Sequence, residues 1–138
     1  MSEEANVQLI QNAYAAFQRG DIQTILDSLT DDVEWIAPGV EPVAGTYHGP
    51  QQVAKFFERV SETAEFSSFE PSEYVAQGDR VIVLGHYKAT GRATGRTYEC
   101  DWAMSFKLTN GKVSEFQEFT DTAVIAAALQ PAGSAATA

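Results

Sequence analysis

The sequence predicts an α+β protein with a mostly antiparallel sheet and helices on one face of that sheet. Two observations predict it. Apolar residues recur at spacings of three and four up to residue 60, and from about residue 65 they alternate with period two. Helical segments that precede a run of strands are typical of the α+β class. The chain has 138 residues and is 44% hydrophobic, so we expect one domain over residues 1–130.

Three helices are predicted in the first half of the chain. The first ends at Gly20, Asp21 caps the second, and Pro50 begins the third. Between the second and third helices, DDVEWIAPG predicts a short strand that ends at Pro38-Gly39, and GTYHGP predicts a loop. The helical spacing is carried by three apolar sets, which are Val7, Ile10, Tyr14 and Phe17; Ile22, Ile25, Leu26 and Leu29; and Val53, Phe56, Phe57 and Val60.

Four strands are predicted in the second half, within FEPSEYVA, RVIVLGHYKA, TYECDWAMSFKL and KVSEFQEFTD. The turns between them are Gly78-Asp79, TGRATGR and Asn110-Gly111. TAVIAAAL adds a short helix, and residues 131–138 are expected to be a disordered tail. Ala103 and Ser105, on the second face of the third strand, are small rather than charged. A sheet covered on both faces predicts a homodimer through the outer sheet face.

The charge balance and the residue types exclude several kinds of function. Lys and Arg number 9 against 19 Asp and Glu, for a net charge of -10, which argues against binding to nucleic acid or anionic membranes. The single Cys100 cannot form an internal disulfide, and MSEEANVQ lacks the apolar core of a signal peptide, so we expect a cytoplasmic protein. His48 and His86 are not at metal-ligand spacing, and no nucleotide-binding glycine motif occurs. We therefore predict no metal and no cofactor.

The order of elements and five phrases resemble the SnoaL-like group of the nuclear transport factor 2-like, or ketosteroid isomerase-like, superfamily. The resemblance covers residues 5–129, and its phrases are a helix ending in RGD, then DDVEWIAPG, GTYHGPQQVAKFF, DRVIVLGHY and NGKVSEFQEFTDT. It implies a cone-shaped barrel, or cystatin-like α+β roll, in which a strongly bent sheet wraps around the helices and encloses a pocket. Members include polyketide cyclases, steroid isomerases, epoxide hydrolases, dehydratases and ligand binders, so the fold does not decide the function.

The resemblance argues against the steroid isomerase reaction. The general base of those enzymes is an aspartate just before the proline that ends the first strand, and this position is Ala37 here. The carboxylic acid of their oxyanion hole falls on Trp102. Only their tyrosine has a counterpart, Tyr14. Enolisation needs both a base and a donor to the developing oxyanion, so this route is disfavoured.

The same resemblance retains one carboxyl in the last strand. Glu118 falls on the acid/base aspartate of the SnoaL-like cyclases and on one of the two catalytic aspartates of the epoxide hydrolases. The partner histidine of the cyclases is Met104 here, and the arginine and second aspartate of the hydrolases are Gly85 and Tyr87. Epoxide hydrolysis is therefore disfavoured as well.

The direction of Glu118 depends on the register of the last hairpin. A type I turn with a bulge at its glycine pairs Met104 with Phe116 and Trp102 with Glu118, and directs Glu118 into the pocket. A two-residue type I′ turn pairs Met104 with Gln117 instead and directs Glu118 to the dimer side. The sequence leaves both registers open.

With Glu118 inside, aromatic surroundings raise the pKa of its carboxyl toward neutrality. It is then predicted to act as a general acid/base on an apolar or cyclic organic molecule, with Tyr14 or Tyr87 as the hydrogen-bond donor. Three alternatives remain: a structural glutamate bonded to a tyrosine, a non-catalytic binding module, and a dimerisation scaffold with a filled cavity. Asp121 is a ligand contact or, alternatively, the cap of the last helix. The predicted ligand-binding residues are Trp35, Tyr47, Trp102, Met104, Phe116 and Asp121.

Overall fold

Four helices and six strands form the described part of the chain. The computed structural model describes residues 2–40 and 42–130. The helices are α1 (Glu3–Gln18), α2 (Ile22–Asp27), α3 (Gly49–Thr63) and α4 (Thr122–Leu129). The strands are β1 (Leu29–Ala37), β2 (Gly45–His48), β3 (Ala64–Gln77), β4 (Arg80–Gly91), β5 (Thr97–Thr109) and β6 (Lys112–Thr120). None of the helices in these ranges combines the length and apolar content that crossing a membrane requires. The predicted tail lies outside the described residues.

The six strands form a single sheet in the order β2-β1-β6-β5-β4-β3. Every neighbouring pair is antiparallel except β1 and β6, which run parallel. Strands β2 and β3 are its two edges, so the sheet is open rather than a closed barrel. Bulges in β3, after Phe66 and after Pro71, bend this edge around α1. The predicted α+β class, with a curved and mostly antiparallel sheet over N-terminal helices, is confirmed.

The segment GTYHGP is not the predicted loop. Gly45–His48 forms β2, which pairs antiparallel with β1 so that Tyr47 lies opposite Trp35. Gly49 and Pro50 already belong to α3. The prediction was wrong because a four-residue segment that begins with a glycine carries almost no period-two signal, and β1 supplies the hydrogen-bond partners that make the segment a strand.

Helix α4 closes one end of the structure and is held from both of its termini. Asp121 caps its first turn by accepting a 3.1 Å hydrogen bond from the backbone N–H of Val124. At the other terminus, the Thr94 hydroxyl donates to the carbonyl oxygen of Ala128 at 2.6 Å, and Arg96 Nη1 donates to that of Ala127 at 2.7 Å. The β4–β5 turn therefore satisfies helix carbonyls that would otherwise lack partners.

The turn between β5 and β6 is the two-residue kind. Asn110 has a φ of 53° and Gly111 a φ of 80°, as a type I′ turn requires, and Thr109 pairs with Lys112 across it. An asparagine followed by a glycine suits this turn because both tolerate positive φ.

A bulge follows immediately on β6. Leu108 pairs with Val113, but the next residue of β5, Lys107, pairs with Glu115, so Ser114 is the extra residue. The Ser114 hydroxyl donates to the Lys107 carbonyl oxygen at 3.2 Å. The bulge shifts the register by one residue and thereby exchanges the two faces of β6.

The observed register differs from both predicted ones. Met104 lies opposite Glu118, and Trp102 lies opposite Thr120. The predicted pairs of Met104 with Phe116 or with Gln117 were therefore wrong. The I′ turn alone would have directed Glu118 outward, but the bulge adds one residue and returns it to the inner face.

The outer face of the sheet carries an apolar row. Leu84 pairs with Ala103, and Ala103 pairs with Phe119. The side chain of Leu84 is 39% exposed and that of Phe119 is 53% exposed. A polar cluster lies next to this row, where His86 Nδ1 is 2.8 Å from Asp101 Oδ1. An exposed apolar row bordered by charged groups is typical of a contact surface.

We expect the chain to form a homodimer through this row. Replacing Phe119 by Glu should convert the dimer to a monomer, because two charges would then be buried against apolar surface. Light scattering coupled to gel filtration measures the mass. Phe119→Leu, which keeps the apolar contact, is the control and should remain dimeric. A wild-type chain that is monomeric at micromolar concentration would contradict the expectation.

Gly85 in β4 lies directly beneath the indole ring of Trp102. A Cβ atom at this position would collide with the six-membered part of that ring and would lie 2.7 Å from the backbone oxygen of Glu70. A larger side chain does not fit here without moving Trp102, which is 3% exposed.

Gly85→Ala should lower the free energy of unfolding by about 2 kcal/mol, because the added methyl group overpacks the core. Urea denaturation followed by tryptophan fluorescence, at one fixed protein concentration, measures the change. Lys88→Ala, at an exposed position of the same strand, is the control and should change stability by no more than about 0.5 kcal/mol. Equal stability of Gly85→Ala and wild type would refute the packing described above.

Candidate functional site

A cavity of about 140 Å³ lies between the helices and the inner face of the sheet. An engineered apolar cavity of about 150 Å³ admits benzene, so there is room for a single ring. Eleven aromatic side chains line the cavity, from α1, α3 and strands β1, β3, β4, β5 and β6, and they make its wall almost entirely apolar. Ile125 and Leu129 of α4 close one side. Among the described lining residues, Glu118 is the only one of a charged type.

The Glu118 side chain points into this cavity from β6. It is partly buried, and its remaining accessible surface lies among the lining residues. Burial raises the pKa of the carboxyl from its ordinary value of 4.5 to about 7, because the ionised form loses water that the apolar wall does not replace. Within the described residues, no hydrogen bond or positive charge offsets this cost.

Three tyrosines surround the carboxyl of Glu118. These are Tyr14 of α1, Tyr87 of β4 and Tyr98 of β5, and all three line the cavity. Burial is the main cause that raises the pKa of each phenol, in the case of Tyr98 to about 12, and the nearby Glu118 carboxylate contributes to the rise. The three hydroxyls therefore stay protonated at neutral pH and can donate hydrogen bonds.

The Tyr14 hydroxyl has only a weak partner. It donates to the Met104 sulfur at 3.0 Å, and a thioether is a poor hydrogen-bond acceptor. The Tyr14 ring is held by packing, because it stacks on Trp102 with ring centroids 5.7 Å apart. An oxygen atom of a ligand near Met104 would be a better acceptor for this hydroxyl than the sulfur is.

Another part of the cavity wall is formed by two stacked rings, those of Trp35 and Phe116. Trp35 of β1 lies parallel to Phe116 of β6, with ring centroids 3.8 Å apart and planes at 21°. The two residues are directly paired in the parallel ladder between β1 and β6. The indole Nε1 of Trp35 is buried without a hydrogen-bond partner in the described structure. This stack gives the cavity a rigid, flat aromatic surface.

Six of the nine predicted site residues line the cavity, and three do not. Tyr47 is buried outside it, where its hydroxyl donates to the Val43 carbonyl oxygen at 2.6 Å and accepts from Arg59 at 3.2 Å. Trp102 is enclosed between Tyr14 and other rings, behind the wall. Asp121 caps α4 and is exposed. The six that line the cavity are Tyr14, Trp35, Tyr87, Met104, Phe116 and Glu118.

Other lining residues were missed by the sequence analysis. Tyr98 could have been found, because it precedes Cys100 by two positions and so shares the inner face of β5. Phe66 and Phe69 could not, since residues three apart point to opposite faces of a regular strand. The bulge at Ser67 turns both of them inward. Among the described residues, no group of three or more His, Cys, Asp or Glu side chains could hold a metal ion.

Comparison with known proteins identifies relatives over most of the chain. A family model described as a SnoaL-like domain matches residues 10–116. A crystal structure of an NTF2-like protein from Burkholderia xenovorans is 39% identical, with a TM-score of 0.87, and the match covers 94% of this chain and 99% of that one. TerC, crystallised with polyporic acid, is 28% identical with a TM-score of 0.81, over 92% and 99% of the two chains. An uncharacterised Mycobacterium bovis protein is 24% identical over 86% of this chain and 91% of its own length.

The buried Glu118 makes stability depend on pH in a defined direction. Because its folded-state pKa of about 7 exceeds the ordinary 4.5, the protonated carboxyl stabilises the fold fully below about pH 4.5, and this contribution is lost as the pH rises through about 7. The stability of wild type relative to Glu118→Gln should therefore fall by about 2 to 3 kcal/mol between about pH 4.5 and pH 8.

Urea denaturation at a series of pH values measures this difference. Glu115→Gln is the matched control, because it removes an exposed carboxyl from the same strand. A difference between wild type and Glu118→Gln that does not change with pH would show that Glu118 is solvated like a surface carboxyl.

Proposed function

The chain belongs to the SnoaL-like domain family, and from this premise we propose that it is a small-molecule enzyme in which Glu118 transfers protons. The substrate is a compact, largely apolar or cyclic organic molecule. The reaction belongs to the isomerase, cyclase or lyase type, in which a proton is moved on carbon or oxygen and no cofactor takes part.

One observation carries this proposal: among the described lining residues, a single carboxyl faces an aromatic cavity whose other polar groups, chiefly hydroxyls and the Trp35 indole N–H, are uncharged. With a pKa of about 7, this carboxyl is present in both protonation states at neutral pH. It can therefore accept a proton from the substrate and return it to another atom within one reaction. A solvated glutamate, with its ordinary pKa of 4.5, is almost fully ionised at neutral pH and so has almost no proton to donate.

The tyrosines supply the second part of the chemistry. Tyr14 and Tyr87 keep their protons and can donate hydrogen bonds to a substrate oxygen on which charge develops. Tyr14 can exchange its bond to the Met104 sulfur for this better acceptor without a change in the fold. The two hydroxyls would stabilise an enolate or a related anion while Glu118 holds the proton.

Residues outside the cavity separate this chemistry from that of the steroid isomerases. Ala37, at the position of their base, is buried and cannot take a proton. Trp102, at the position of their oxyanion-hole acid, lies behind the wall. The crystallisation of TerC with polyporic acid supports a ligand-binding cavity in this fold, and the cavity of about 140 Å³ here has room for a single ring.

A second candidate function is binding of the same molecule without reaction. It is favoured by Met104 and Gly85, which stand where catalytic relatives carry a histidine and an arginine. A scaffold with a cavity filled by side chains is less well supported, because the cavity has room for a ring.

Replacing Glu118 by Gln should abolish turnover while leaving the fold intact, because the amide can neither accept nor release a proton at neutral pH. The panel is a set of monocyclic ketones, enones and lactones, with products analysed by mass spectrometry. For any substrate found, the rate of wild type should show an apparent pKa near 7. Turnover unchanged in Glu118→Gln would refute the role of Glu118.

Two controls separate catalysis from binding. Glu115→Gln, on the outer face of the same strand, should leave turnover unchanged. In a Trp102→Phe background, fluorescence reports on Trp35, which lines the cavity. A ligand that quenches the Trp35 signal in this background, both with Glu118 present and with Glu118→Gln added, and that gives no product in either case, would favour the binding module.

A further inference from the structure

The described lining of the cavity includes an acidic side chain but no basic one. Glu118 brings a negative charge, and no described lining residue is a lysine, arginine or histidine. The residues outside the described ranges, at positions 1, 41 and 131–138, include none of these three types either. The chain therefore provides no basic side chain to neutralise the carboxylate.

Three arginines that bond to segments next to cavity-lining residues are engaged elsewhere. Arg59 donates to the Tyr47 hydroxyl at 3.2 Å and lies over that ring at 5.7 Å from its centroid. Arg96 donates to the Ala127 carbonyl oxygen at 2.7 Å, and Arg92 to that of Ser61 at 2.6 Å. All three hold the structure around the cavity closed rather than reaching into it.

An unpaired carboxylate in an apolar cavity is costly, and a positively charged ligand would remove that cost. Its charge would pair with Glu118 at short range in surroundings of low polarity, where the attraction is strong. An anionic ligand would meet only repulsion from Glu118, with no basic group to hold it. The cavity therefore favours cations over anions of the same shape.

The wall suits a cation as well. Trp35, Tyr14 and Tyr87 belong to the cavity lining, and aromatic rings attract ammonium groups through their negative surfaces. The remaining wall is hydrocarbon and suits the apolar part of the molecule. One charged atom at Glu118 and one ring elsewhere would fill the space of about 140 Å³.

We propose that the cavity binds a one-ring organic amine in its ammonium form, with the nitrogen at the Glu118 carboxylate and the ring against the aromatic wall. This inference rests on the ligand-binding part of the proposed function and does not require that a reaction occurs. It names the substrate class of the site as a small, hydrophobic, basic molecule.

The test uses three ligands of nearly the same shape and different charge: benzylamine, benzyl alcohol and benzoate. Calorimetry at neutral pH should show benzylamine binding about tenfold more tightly than benzyl alcohol, and benzoate binding more weakly than either. In Glu118→Gln the preference for benzylamine over benzyl alcohol should disappear.

Wild type alone provides a second readout, which holds even if the variant does not fold. The affinity for benzylamine should rise about tenfold or more between about pH 5.5 and pH 8, because the ligand binds the ionised carboxyl. The groups that face Glu118 from the neighbouring elements are Tyr14, Tyr87, Tyr98 and Cys100. Burial raises the pKa of each of these groups, so they remain neutral in this range.

Each contrary outcome has a distinct meaning. Equal affinities for benzylamine and benzyl alcohol at neutral pH, or a benzylamine affinity that does not rise with pH, would overturn the amine and leave the proposed site in place. Tightest binding of benzoate would overturn the charge argument. If none of the three ligands binds, both the amine inference and the proposed small-molecule site fail.

Discussion

The extra residue at Ser114 is the constraint on which the site depends. Successive side chains of a strand point to opposite faces, so an inserted residue reverses every side chain that follows it. The I′ turn at Asn110-Gly111 would by itself direct Glu118 away from the helices. The bulge reverses this and brings Glu118 opposite Met104, inside the cavity. The same shift places Phe116 against Trp35, so the acid and the wall around it follow from one irregularity.

A carboxyl in this position lowers the stability of the fold at neutral pH. Folding favours apolar groups inside, and a raised pKa of about 7 means that the ionised form of Glu118 opposes folding at neutral pH. No salt bridge from the described residues relieves this cost. Arg59 and Arg96 instead bond to Tyr47 and to the C-terminal turn of α4. Local violations of folding rules of this kind are typical of functional sites.

The packing near the acid depends on a glycine. Gly85 has no side chain and thereby leaves room for Trp102, which in turn stacks on Tyr14. A charged side chain at that position would need the space of the indole ring. Aromatic packing therefore surrounds Glu118 where the resemblance to the cyclases and hydrolases of this superfamily implies polar partners, and the proposed chemistry rests on Glu118 and the tyrosines.

The sequence by itself determined the elements and several local roles. The change from helical spacing to period two gave the α+β class, and the residue types gave the cap at Asp21 and the Asn110-Gly111 turn. The tertiary structure alone decided β2, the inward turn of Phe66 and Phe69, the exclusion of Trp102 from the cavity and the direction of Glu118. The physical reason is the range of the interactions. Spacing, caps and turns depend on neighbours along the chain, whereas bulges and register depend on hydrogen bonds and packing between strands that are distant in sequence.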